Sequence, residues 1–276
     1  MINAVLIILF LVWAIFASAE DFKKREVEDW VSYSLIIFAL GLRFFYSLFT
    51  ENFSSFYFGI FGLIIFFILG NLFYYSRLFA GADAKMMIAL GTILPFENSI
   101  IQNIKIFILF LFIFLFVGGI YGIIWTIYLS IKNKKEFKKD FLKRIKSNKK
   151  ILISSFLISL FLIFLTFLSR IFLIPALAFL IIPLLYIYSK SVDQVAMVKK
   201  ISPEKLTVGD WLVKDIKIEG GKIKSNWDGL TKEEIKKLIK NKKKILVRYG
   251  IPFIPVFPIS FIILIFTFKN IIDLTF

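Results

Sequence analysis

The chain of 276 residues contains no cysteine and no histidine. Without histidine there is no Ser-His-Asp or Cys-His triad, and no zinc site of the H-E-x-x-H kind. Without cysteine there is no thiolate nucleophile, no disulfide and no iron–sulfur cluster, so the sequence carries no mark of its redox compartment. Carboxylates are scarce as well: 19 Asp and Glu stand against 35 Lys and Arg, for a net charge of +16. Carboxylates near the apolar spans are rare, so each one asks for an explanation.

What is abundant is apolar. Hydrophobic residues make up 59% of the chain, above the roughly half expected of a soluble domain. They come in uncharged runs long enough for the ~20 helical residues that cross a bilayer core. Eight candidate spans cover residues 2–19, 31–49, 54–75, 86–101, 104–131, 151–168, 171–189 and 251–268. The fourth is short and interrupted by Pro95; the sixth and seventh are parted only by Ser169 and Arg170. The expected fold is an all-α polytopic membrane protein of about eight transmembrane helices, with six to eight as the range. It carries a small α+β cytoplasmic module.

Charge supports that map. Segments 20–30, 76–85, 132–150 and 190–250 hold 31 of the 35 basic residues, while the alternate connections hold almost none. This is the alternation that the excess of Lys and Arg in cytoplasmic loops produces, with both termini outside. The positive charge thus reads as topology, and no recognition motif accompanies it to suggest nucleic acid. Ala17-Ser18-Ala19 resembles a signal-peptidase site, yet Met1-Ile2-Asn3 offers no basic n-region, so the first run is expected to stay as a span. Residues 132–150 are expected to lie against anionic headgroups of the lipid bilayer. Within 190–250, Leu206–Val213 reads as strand, Glu219-Gly220-Gly221-Lys222 as a turn, and Thr231 with Glu234 as a capping box opening a helix to about Lys243. The apolar face of that helix (Ile235, Leu238, Ile239) requires a partner.

Two carboxylates sit beside apolar spans on the cytoplasmic side: Asp21 after the first, and Asp83 just before the fourth. Two acids brought together from separate helices are what aspartyl proteolysis needs, one to take a proton from water and one to donate to the scissile carbonyl. Taken singly, Asp83 reads equally as a helix cap and Asp21 as an interfacial charge.

The run Leu78-Phe79-Ala80-Gly81-Ala82-Asp83-Ala84-Lys85 resembles the GxGD-type motif of the archaeal type IV prepilin and preflagellin (archaellin) peptidases, membrane aspartyl proteases. Ala80 and Ala82 stand where that family's pattern has glycine, and Gly81 lies between them. Asp21-Phe22-Lys23-Lys24-Arg25-Glu26-Val27-Glu28-Asp29 resembles the family's first catalytic segment, and Gly250–Pro255 more loosely resembles the run that opens its last span. The resemblance implies Asp21 and Asp83 as the catalytic pair, Ala80, Gly81, Ala82 and Lys85 as support for the motif, and no metal or cofactor. Lys85 steadies Asp83 or anchors the span by its charge.

The implied substrates are pilin-like or archaellin precursors, whose short basic leader is cut at the cytoplasmic face of the plasma membrane. Asp29, with Glu26, Glu28 and Glu20, would then receive the basic leader, or else would only balance Lys23, Lys24 and Arg25. On this reading residues 1–131 form the catalytic membrane core, 132–150 a basic loop, 151–189 an additional hairpin, 190–250 the cytoplasmic module and 251–276 the last helix. A transporter or channel, a membrane scaffold, or a presenilin-like protease are the competing readings. The first two leave both aspartates non-catalytic, and the third expects a Tyr-Asp pair where Glu20 precedes Asp21.

Overall fold

The computed structural model describes residues 2–218, 221–226, 229–240 and 244–271. The chain divides into two compact units, Met1–Gly122 with Ile251–Phe276, and Ile123–Gly250.

The first unit is built from α1 (Ile2–Lys24), α2 (Asp29–Phe49), α3 (Ser54–Tyr75), the short α4 (Gly81–Gly91), most of α5 (Ile100–Lys132) and, from the far end of the chain, a helix that opens at Val256. Each helix turns one stripe inward. On α1 it is Leu6, Phe10, Ala14, Ala17 and Asp21, spaced three and four apart as one face of a helix demands. The opposite faces expose Ile8, Val12, Ile15 and their like, which suits a lipid surrounding.

α4 departs most from the sequence expectation. The fourth run is helical only as far as Gly91, and residues 92–95 are buried without regular structure. Pro95 has no N–H and disfavours helix at the residue before it, so the helix cannot be prolonged. Irregular backbone among apolar helices must find partners within the protein, since each unpaired group there costs several kcal/mol. Three side chains supply them. Arg43 of α2 donates from Nε to the Thr92 carbonyl (2.8 Å), and from Nη2 to those of Ile93 (3.1 Å) and Pro95 (2.7 Å). Its Nη1 donates to the backbone carbonyl (3.0 Å) and hydroxyl (3.2 Å) of Ser55 on α3. Asn3 of α1 donates to Phe96 O, and Asn103 of α5 both accepts from Glu97 N–H and donates to Glu97 O.

Arg43 neither snorkels to an interface nor pairs with an acid, the two roles that a lone arginine in a span suggests. It is 1% exposed and acts as a hub for carbonyls at the negative end of α4.

α3 and α4 meet backbone to backbone. A Cβ on Gly62 would lie 2.0 Å from the Gly91 carbonyl oxygen, and one on Gly91 would lie 2.5 Å from that of Gly62. Gly70, two turns further along α3, is closed less tightly, by Ile88 at 2.8 Å and the Ala84 carbonyl at 2.9 Å. Small residues at a helix crossing let main chains approach, as in packed membrane helices generally.

The second unit holds α6 (Lys134–Ser147), α7 (Lys149–Leu165) and α8 (Leu173–Val192), followed by a small α+β module. α6 is the basic loop folded as a helix; Phe137 stacks on Phe141 and meets the Tyr188 ring of α8 at 5.5 Å. In the module β1 (Val198–Ile201) and β2 (Trp211–Leu212) both pair antiparallel with β5 (Ile245–Arg248), and β3 (Ile216–Ile218) pairs with β4 (Gly221–Ile223). The expected strand 206–213 is real only at Trp211–Leu212. Gly209, at φ +95°, turns the chain before it, and Asp210 accepts from Thr207 N–H. Burial raises the Asp210 carboxyl above the usual carboxylate range.

The capping box is present: Thr231 N–H donates to Glu234 Oε2 (2.9 Å) and Glu234 N–H to Thr231 Oγ1 (3.3 Å), opening α9 (Lys232–Lys240). Ile235 and Leu238 join a core with Leu212, Leu230 and Val247, so the module covers this face itself; Ile239 stays exposed. Glu219 and Gly220 of the expected turn, and residues 241–243 of the expected helix end, lie outside the described residues. The last helix is α10 (Val256–Ile271).

Among the described residues five helical stretches are long and apolar enough to cross a membrane: α1, α2, α3, α5 and Arg170–Met197 around α8. The bent pair α6–α7 (71°) makes a sixth if it counts as one span. α10 is apolar but shorter, and α4 has only 11 residues. The chain is a multi-pass membrane protein of helices with a small strand-bearing module. Gly62→Ala should cost about 1–3 kcal/mol by overpacking. Gly119→Ala, with open space at its Cβ, should cost nothing measurable. Thermal melts in detergent compare the two, and equal melting points would contradict the close crossing of α3 and α4.

Candidate active site

α1 does not stop at residue 19. It continues through Lys24 and ends where Arg25 adopts a left-handed backbone (φ +62°), its N–H donating to Asp21 O at 3.0 Å. Asp21 therefore stands in the last turns of α1, on the inward stripe rather than in a loop. Its Oδ2 accepts the Ile254 N–H at 3.1 Å, and the Phe253 N–H and the Arg25 guanidinium also act on it.

Asp83 is the third residue of α4. It accepts the Ala80 N–H through Oδ2 (3.1 Å), so the cap bond anticipated for it exists, made backward to the residue that precedes the helix. It is also buried, and the charge of Asp21 acts upon it. Among the described residues these two are the only carboxyl side chains less than a tenth exposed. Two acids 62 residues apart in the chain are thus both buried, near enough for the charge of one to act on the other.

The residues around Asp83 are small, as the sequence indicated, but Gly81 is not demanded by the backbone. Its φ is not positive, and a Cβ there would meet only the Tyr74 ring, at 4.0 Å. Ala80 is exposed, and Gly81 and Ala82 are half-buried, while Asp83 itself is buried. Phe79 just before it is buried against Phe73, Phe114 and Phe253.

Lys85 does not reach Asp83. It forms an ion pair with Asp29 in the first turn of α2, an exposed contact that ties α4 to α2. Glu28 is exposed; the Lys24 ammonium (2.9 Å) and the Trp30 indole N–H (2.9 Å) hold its carboxyl below the ordinary range. Glu26 is exposed as well. Glu20 is different: Oε1 meets Lys24 at 3.4 Å, while Oε2 is buried without a hydrogen-bond partner. Of the four acids expected near the leader, then, two share Lys24 and one is held by Lys85. No group of three or more His, Cys, Asp or Glu that could hold a metal ion occurs among the described residues.

Sequence reasoning missed the fork of Arg43 and the main-chain donor at Ile254. The signal for the first was an arginine inside an apolar run; for the second it was only the loose likeness of Gly250–Pro255.

The model of the type IV leader peptidase family matches residues 8–123, which include both buried aspartates. A preflagellin peptidase of Methanococcus maripaludis is 36% identical over 81 residues, 29% of this chain and 35% of the relative. One from Methanococcus voltae is 33% identical over 85 residues, and one from Methanocaldococcus jannaschii 35% over 92. The chain thus spans little more than a third of the length of the curated relatives it matches. No solved structure matches it.

Replacing Arg43 should unfold α4 from its place. Arg43→Met leaves buried carbonyls unpaired and should cost about 3 kcal/mol or more, and Arg43→Lys, with no fork, somewhat less. Denaturation in detergent reads both, and a variant as stable as the parent would remove Arg43 from this role.

Proposed function

Since residues 8–123 match the model of the type IV leader peptidase family, we propose that the chain is an aspartic endopeptidase with Asp21 and Asp83 as its catalytic pair. Its substrates are prepilin- or preflagellin-like precursors, from which it removes the short basic leader at the cytoplasmic face of the plasma membrane. The observation that carries the reading is the burial of those two carboxylates, and of no others among the described residues, with the charge of one acting on the other. The reaction needs one member of the pair protonated and the other ionised, and a close pair of acids favours that division because both cannot ionise cheaply. The ionised member takes a proton from a water molecule, which attacks the scissile carbonyl carbon. The protonated member donates to the carbonyl oxygen, and a proton then passes to the leaving amine as the bond to nitrogen breaks.

A leader rich in Lys and Arg finds acids at Asp29, Glu26, Glu28 and Glu20. A basic leader residue at Asp29 has to take the place of Lys85, and one at Glu28 the place of Lys24. The small residues 80–82 leave room for an extended substrate backbone beside Asp83.

The test is cleavage of a tagged precursor with a Lys/Arg leader, a glycine and an apolar helix, in membranes carrying the full chain. Asp21→Asn and Asp83→Asn, which keep volume but cannot exchange the proton, should each lower turnover by 10²-fold or more while inserting normally. Continued cleavage by both variants would end the dyad reading. Orientation has its own check, because the chain lacks cysteine. A single cysteine at exposed Lys138 or Lys217 should react with a membrane-impermeant maleimide only when the cytoplasmic face is open to it. Labelling from outside in intact cells would invert the topology.

A further inference from the structure

The segment that supplies the donor to Asp21 is not helical, and something has to hold it. Residues 251–255 lead into α10, with Pro252 and Pro255 restricting the backbone at themselves and at the residues before them. One face of α5 receives this segment. Phe114 meets the Phe253 ring at 5.8 Å, edge on. One turn later Gly118 leaves the space that the same ring fills, so that a Cβ there would lie 2.9 Å from Phe253 Cζ. Less than a turn beyond, the Tyr121 hydroxyl donates to the Pro252 carbonyl at 2.7 Å. Phe253 also touches Phe79, at 6.2 Å between ring centroids, on the chain that leads into the Asp83 helix.

We propose that Tyr121 is a positioning residue for Asp21, acting through the main chain of Pro252–Ile254. The proposal rests on the dyad reading. The phenol fixes the Pro252 carbonyl, two residues before the Ile254 N–H that Asp21 accepts. Between those two points the chain has little freedom, because Phe253 is seated in the Gly118 notch and Ile254 precedes a proline. Asp21 itself sits on α1, where its backbone is set by the helix but its carboxyl is free to rotate unless a donor holds it. A reacting group displaced by about 1 Å loses much of its rate. Losing the phenol hydroxyl should therefore reach the chemistry while leaving in place every acid proposed to hold the leader: Glu20, Glu26, Glu28 and Asp29. Tyr121 also lies close enough for the Asp21 charge to act on it, which places the two in one neighbourhood.

The experiment measures kcat and KM for the same tagged precursor with the full chain in membranes. Tyr121→Phe keeps the ring and removes one hydrogen bond, and kcat should fall about tenfold with KM unchanged. Gly118→Ala, which pushes on Phe253 from the same face, should show the same split. Tyr128→Phe, on the same helix but with its ring against Trp125, should match the parent. Wild-type kcat in Tyr121→Phe, or a rise in KM with kcat intact, would overturn the proposal. Asp21→Asn separates the two readings: if it still cleaves, the dyad fails. If it is inactive while Tyr121→Phe keeps full rate, only the positioning role fails.

Discussion

A guanidinium with no carboxylate beside it, closed off from solvent and bonded five times to oxygen, is what the membrane unit is organised around. Without Arg43 the carbonyls of Thr92, Ile93 and Pro95 would stand unpaired among apolar helices, a cost that no amount of surrounding leucine offsets. With it, an apolar run too irregular to cross as one helix is split into a short helix and a satisfied return. α4 is then free to be brief. It lies against α3 with only glycine between the main chains, and its first turn carries Asp83 into the interior. The position of that carboxyl depends on contacts nine to twelve residues away from it, beyond the other end of the helix.

The division of charge has the same logic. The unit Met1–Gly122 with Ile251–Phe276 has 8 basic and 9 acidic side chains, whereas Ile123–Gly250 has 27 basic and 10 acidic. The whole positive excess therefore belongs to the second unit. The first, close to neutral, keeps its acids for burial and for local pairs such as Lys85–Asp29 and Lys24–Glu28. Between α1 and α2, Glu20 and Glu28 share Lys24 and Asp29 holds Lys85, while Glu26 stands exposed beside them.

Much of this was legible in the sequence, and the reasons differ element by element. The apolar runs of α1, α2, α3 and α5 announced themselves, because hydrophobic length is read directly from composition. Asp83 was found through its local motif, Asp21 through its basic neighbours, and the capping box of α9 through two residues three apart. The end of α1 was misjudged by five residues, since polar residues can continue a helix past its apolar part, and the inward stripe carries on through Asp21. Where α4 ends was hidden because the partner that replaces its missing hydrogen bonds is Arg43, about fifty residues earlier. Long-range polar satisfaction leaves no periodicity to detect. The same holds for the strand expected over 206–213, which the turn at Gly209 shortened.

The bond from Ile254 to Asp21 belongs to the main chain, and this sets how the neighbourhood of that carboxyl can change over generations. A side-chain donor is lost by any of a dozen substitutions and leaves a conserved letter as its trace. A peptide N–H survives every replacement but proline, so residue 254 can drift among aliphatic or polar types while the contact persists. Selection then falls on the shape of the path, on the prolines at 252 and 255 and the hollow opposite Phe253, rather than on the identity of the donor. Homologues would keep such a contact without displaying it.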